Sequence, residues 1–271
     1  MNEEKENIPR DSQGCLIVCI LIMAVVLFLL GKLCFIKANL VLHPPVSNTA
    51  TADQATQPVM AEPYLVVIDP GHQAKGNKEK EPIGPGAQEQ KAKVTSGAEG
   101  VATGQEEYEL NLQVALKLRQ ELEDRGYRVE LTRTTHEVDM SNIQRAEMAN
   151  NLEADVFIRI HANADEDSTV SGVMTLCQTP EDPFGTGRYY ESRALAQFVL
   201  EATAQATGAT MQPILETDTM AGINWCQVPV TIVEMGYLSN PAEDKLLLTE
   251  DYQQKLAQGI ATGIDHYFQD S

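Results

Sequence analysis

LVVIDPGHQ, residues 65–73, decides the reading of this chain. Four apolar residues run into Asp-Pro-Gly, and His72 follows. A short apolar run stopped by Pro-Gly reads as a buried strand, which leaves His72 at the strand's tip. Segments of the same kind then alternate with helical ones. A helix is predicted from about Glu106 to Arg125, with Gly126 as its stop. YRVELT (127–132) reads as a strand, and SNIQRAEMANNLEA (141–154) as a helix capped by Ser141. DVFIRIH (155–161) and GVMTLCQ (172–178) read as strands, and residues 188–207 as a helix with Gly208 beyond its end. VPVTIVEMG (228–236) reads as a buried strand, and DYQQKLAQGIATGIDHYF (251–268) as the closing helix. This alternation predicts an α/β fold over residues 64–271: a single domain with a twisted, mostly parallel sheet and helices on both faces. Residues 73–105 break the pattern. They are rich in Gly, Lys and Glu without an apolar period, and read as a long loop on the substrate side.

The N-terminal part has a different character. Residues 15–31, CLIVCILIMAVVLFLLG, carry no charge. As a helix they span roughly 25 Å, near the lower limit for a bilayer. KLCFI extends the run to Ile36 if Lys32 reaches back to the interface. The preceding 1–14 tail is not a basic leader, and no small-residue cleavage site follows, so the segment reads as one uncleaved transmembrane helix over 15–36. Lys/Arg flanks are balanced and do not orient it. Residues 37–63, rich in Pro, Ser, Thr and Ala, read as a flexible linker. The net charge of −19 argues against a nucleic-acid partner. Of five cysteines only Cys177 and Cys226 fall in the main domain, too few for a disulfide framework.

In an open α/β sheet, ligands gather beyond the carboxyl ends of the strands. Three strand tips carry titratable side chains: His72, His161 and Glu234. The helix after the long loop should start at that same edge. Glu107 lies seven residues before Val114 and eleven before Leu118, which centres it on the sheet-facing stripe. Two histidines and one carboxylate with an open position form a known set for catalytic zinc, which activates a water. His72, Glu107 and His161 are therefore the candidate ligands, and Glu234 the free carboxylate for general base and acid work. His136 is a competing ligand. His43 and His266 read as non-functional.

The motifs VVIDPGHQ, EYELNL with GYRVELTR, IRIHANA and TIVEMGYLSNPAED resemble, in order and spacing, the zinc-dependent N-acetylmuramoyl-L-alanine amidases of bacterial cell walls. The resemblance runs from about residue 64 to the C-terminus. It implies hydrolysis of the amide between N-acetylmuramic acid and L-alanine in peptidoglycan, zinc held by His72, Glu107 and His161, and Glu234 as the catalytic glutamate. With the anchor, it implies a membrane-attached catalytic domain on the cell-wall side, with peptidoglycan as substrate and a protein activator unspecified. The loop after His72 departs from the family's usual Gly-Gly-x-Asp-x-Gly. Two other readings stand beside this one: a non-catalytic peptidoglycan-binding regulator, and a zinc peptidase for another substrate.

Overall fold

The structure is a computed structural model and describes residues 62–270. The expected anchor (15–36), the 1–14 tail and nearly all of the linker lie outside the described residues. Among those described, no helix is long and apolar enough to cross a membrane.

The elements run β1 (Leu65–Pro70), β2 (Asn77–Pro82), β3 (Gln90–Val94), α1 (Glu107–Asp124), β4 (Arg128–Leu131), α2 (Asn142–Asn151), β5 (Val156–Asn163) and β6 (Met174–Cys177). They continue with α3 (Tyr189–Thr207), β7 (Leu215–Glu216), α4 (Ala221–Asn224), β8 (Val230–Tyr237), α5 (Pro241–Leu247) and α6 (Glu250–Asp270). The main sheet has the order β4-β1-β5-β8-β6-β7. Strands β4, β1, β5 and β8 are parallel, while β6 runs antiparallel to β8. The mostly parallel sheet is as expected, with β6 and the short β7 beside it running the other way.

Alternation along the strands separates two cores. Val66, Ile68, Val156, Ile158 and Ile160 face the large core closed by α1, α3 and α6. Leu110, Val114, Leu118 and Leu122 on α1 are fully buried there, each contributing about 1.5–3 kcal/mol. Leu65, Val67, Phe157, Val230 and Ile232 face a smaller core under α2 and α4. On that second face the apolar run stops early. Continuing it by twos reaches Asp69, then Arg159 and His161, then Glu234. The carboxyl ends of three neighbouring strands thus exchange hydrophobic packing for ionisable groups on one face.

The caps agree with the sequence. Ser141 closes a capping box with Gln144, and Gly126 and Gly208 take positive φ just past their helices. The long loop needs correction. Residues 73–105 contain the antiparallel hairpin β2–β3, with a register shift between Asn77 and Lys80. Its strands read NKEKEP and QKAKV, so they offer no apolar face for a pattern search to find. The ribbon is held by neighbours instead. Asn142 Nδ2 donates to Lys93 O (2.8 Å), Trp225 Nε1 to Pro82 O (3.0 Å) and Asn224 Nδ2 to Ile83 O (2.8 Å). Cys177 and Cys226 are free buried thiols, each pushed up to about 12 by burial.

Candidate metal centre

The Asp-Pro-Gly-His turn after β1 is gripped by two arginines. Arg133 donates through Nε to Pro70 O (2.9 Å) and through Nη2 to Gly71 O (3.0 Å). Arg145, fully buried, donates through Nη1 to Asp69 Oδ1 (2.6 Å) and Pro70 O (3.0 Å), and through Nη2 to His72 O (3.1 Å). Asp69 also accepts from Arg159 Nε (2.9 Å) and Thr132 Oγ1 (2.5 Å). Burial alone would raise the Asp69 pKa, but Arg145 and Arg159 outweigh it and hold the carboxyl well below the usual range. Held this way, His72 sits at φ 61, a conformation that a non-glycine residue keeps only when its surroundings impose it.

His72 Nδ1 lies 3.0 Å from both Thr95 O and Thr95 Oγ1, which orients the ring; with the Nδ1 proton donated to Thr95 O, Nε2 would be free to bind a metal. That Nε2 lies 3.1 Å from Glu107 Oε1 and 3.2 Å from His161 Nδ1, and the latter lies 3.2 Å from Glu107 Oε1. Glu107 opens α1 and is itself pinned. Its Oε2 accepts from Ala98 N (2.9 Å), and its Oε1 from Ala162 N (3.1 Å) and Asn111 Nδ2 (3.1 Å). Burial opposes ionisation of Glu107, yet the hydrogen bonds from His161 and His72 keep its carboxyl well below the ordinary value. Burial lowers His161 to about 4, so its ring is neutral, as a ligand must be.

The donor set passes a geometric test. A tetrahedral ion with bonds of roughly 2.0–2.1 Å has ligand atoms about 3.3 Å apart. The triangle here has edges of 3.1, 3.2 and 3.2 Å. These three residues form a group able to hold a metal ion. Glu234 stands opposite His161 in the β5–β8 register. Its Oε2 is buried without a hydrogen-bond partner, and burial, reinforced by Glu107, pushes its pKa up to about 8.

The structure thus brings together all four residues singled out from the sequence. His136 stays outside, edge-on to the Tyr108 ring at 5.3 Å, and His266 lies against Phe198. His43 is outside the described residues. Sequence reading missed Asp69, Arg145, Arg133, Arg159, Thr95 and Asn111. For three of these the signal was present: a charged residue continuing the core-facing alternation of β1 and β5, and Arg145 beside the buried Ala146 of α2.

The family model described as N-acetylmuramoyl-L-alanine amidase matches residues 66–266. The chain is 27% identical over 226 residues to the N-acetylmuramoyl-L-alanine amidase LytC of Bacillus subtilis. That match covers 83% of this chain but 39% of LytC. Among solved structures, it is similar to the amidase Ami1 of Mycobacterium smegmatis, with a TM-score of 0.70 and 26% identity over 77% of this chain and 98% of that one. It is also similar to the catalytic domain of CwlV from Bacillus (Paenibacillus) polymyxa var. colistinus, with a TM-score of 0.61 and 33% identity over 77% and 99%. With the family's model covering nearly all of the described domain, the chain belongs to the N-acetylmuramoyl-L-alanine amidases.

Proposed function

We propose that the protein hydrolyses the amide between N-acetylmuramic acid and L-alanine in peptidoglycan, with zinc at His72, Glu107 and His161. The observation that carries this reading is the triangle of donor atoms with an unpartnered carboxylate beside it. When bound, the zinc supplies Lewis-acid polarisation and acidifies water at neutral pH. The remaining work falls on the chain. Thr95 O orients the His72 ring, and Ala98 N and Ala162 N keep both Glu107 oxygens in place. A cation held by the three ligands would favour the ionised form of Glu234, whose buried Oε2 would then take the proton of the attacking water and deliver it to the departing amine of L-alanine. The anchor at residues 15–36 would tether this domain to the membrane on the wall side, a reading supported by the uncharged run alone.

The test is metal content together with peptide release from purified muropeptides, wild type beside Glu234→Gln. About one zinc in both proteins, with peptide released by the wild type alone, is the expected result. Zinc in both without release by either would favour a peptidoglycan-binding regulator. Cleavage elsewhere in the stem peptide, with the lactyl–alanine bond intact, would point to a peptidase.

A further inference from the structure

The cavity beside the metal ligands, about 480 Å³, reaches the hairpin β2–β3. Its lining includes Lys80 of β2, Lys91 of β3 and Arg159 of β5, and among the described residues Glu234 is the only carboxylate that lines it. With Arg159 already paired to Asp69, the two lysines still outnumber the one acid, a local reversal of sign on a chain of net charge −19. Lys91 and Arg159 are held in position. Lys91 Nζ donates to Thr219 O at 2.9 Å, and its other two protons have no partner among the described residues. Arg159 is 3% exposed. Its Nε is held by Asp69 and its Nη2 by Asn142 Oδ1 at 2.7 Å, while Nη1 has no hydrogen-bond partner among the described residues. Gly222 lies so close to that guanidinium that any Cβ there would collide with it. The hairpin is clamped through Asn142, which lines the cavity, and through Asn224 and Trp225. Lys80 is paired with Ala92 and Lys91 with Glu81, so the two lysines leave the ribbon from neighbouring rows, and both border the cavity that Arg159 reaches. A guanidinium with a spare donor and two ammonium groups along one cavity match a carboxylate.

We infer that this side of the cavity is a carboxylate subsite, which selects stem peptides carrying a free carboxylate near the scissile amide over those in which it is amidated. The inference rests on the amidase reading and names its substrate class. The experiment uses the zinc-loaded full chain and two synthetic muramyl peptides that differ only in carboxylate or carboxamide on the residue after L-alanine. The wild type should cleave the acid with a kcat/KM about 10-fold higher or more. The Lys80→Gln/Lys91→Gln protein should fall toward parity, mainly by losing rate on the acid. Lys80→Gln alone, an exposed change that leaves the Lys91–Thr219 bond intact, should lose part of the preference if the double variant fails to fold. Equal rates for the two peptides in the wild type, or equal losses on both in the variants, would overturn the subsite. Calorimetry with the same two peptides separates the failures. If neither is cleaved but the acid still binds more tightly, and does so through the lysines, the amidase reading fails and the subsite stands. Equal binding overturns the subsite itself.

Discussion

Gly71→Ala should disable the metal centre while leaving the fold in place. Gly71 is absent from the positive-φ glycines, so alanine suits its backbone, and the conflict is one of space. A Cβ there would sit 2.6 Å from His161 Nδ1, 2.3 Å from its Nε2 and 2.2 Å from its Cε1. Non-bonded heavy atoms need roughly 3.5 Å, so the ring must retreat by about 1 Å. The turn cannot move in its place, because Gly71 N donates to Ile160 O at 2.9 Å and Gly71 O accepts from Arg133 at 3.0 Å. Ligand distances in a working site are held to about 0.2 Å, several times less than this displacement. Zinc affinity should therefore fall by at least about 10-fold, the smallest loss usually seen when only a ligand's supporting partner is removed. Overpacking should cost about 1–3 kcal/mol of stability. Competition with a chromogenic chelator reads the first number, and urea unfolding of the apoprotein reads the second. A Gly71→Ala protein that binds zinc as tightly as the wild type would refute the reasoning, since it would mean that His161 is not the ligand or that the turn is free to shift.

Glu234→Gln should keep its zinc and lower kcat by about 10²–10⁴-fold, measured by peptide release alongside metal analysis; substantial residual turnover would remove Glu234 from proton transfer. Asp69→Asn should cost about 3–5 kcal/mol in urea unfolding, because it leaves Arg145 and Arg159 buried against a neutral partner; a loss under about 1 kcal/mol would contradict the role given to this cluster. The same cluster sets an acid limb. The folded pKa of Asp69 is depressed, so its stabilisation is fully present above the unfolded value of about 3.9 and drains away as pH falls below it. Asp69→Asn should flatten stability against pH in that range, which melts between about pH 5 and pH 2 would measure. Chelation should lower Tm, and zinc returned at 100 times its Kd should restore about 2.7 kcal/mol; a Tm indifferent to zinc would argue against a site formed only in the folded state.

The ligands were legible because each sits where a period ends. His72 follows β1, His161 and Glu234 end the unbroken buried runs of β5 and β8, which run on to Asn163 and Tyr237, and Glu107 lies on the helical stripe that Val114 and Leu118 continue. Parallel pairing of β1, β5 and β8 then carries the three tips to one edge, and the register sets His161 against Glu234. The direction of β6 was not legible, since an antiparallel strand has the same composition as a parallel one when both of its faces are covered. The hairpin was not legible for a different reason. Its strands bury no stripe of their own and are fixed by side chains from α2, α4 and Trp225, far away in sequence.

The positioning network shows where pattern reading loses information. Asp69 continues the alternation of Leu65 and Val67, and Arg159 that of Phe157, so a period-two search counts both as interruptions of a core. In the structure they are the core's upper layer. Asp69 pairs with both Arg145 and Arg159, Arg145 and Arg133 bind the carbonyls of the following turn, and that turn holds His72 at a positive φ. An apolar layer of the same volume could fill this space, often without loss of stability. It could not donate to three consecutive carbonyls, at Pro70, Gly71 and His72, and so could not dictate the direction in which His72 leaves the strand. Charge at the end of a buried strand is thus tied to the aim of a ligand. Asp69→Asn should accordingly weaken zinc binding by more than its loss of folding stability explains, a difference visible when metal affinity is measured well below the unfolding transition.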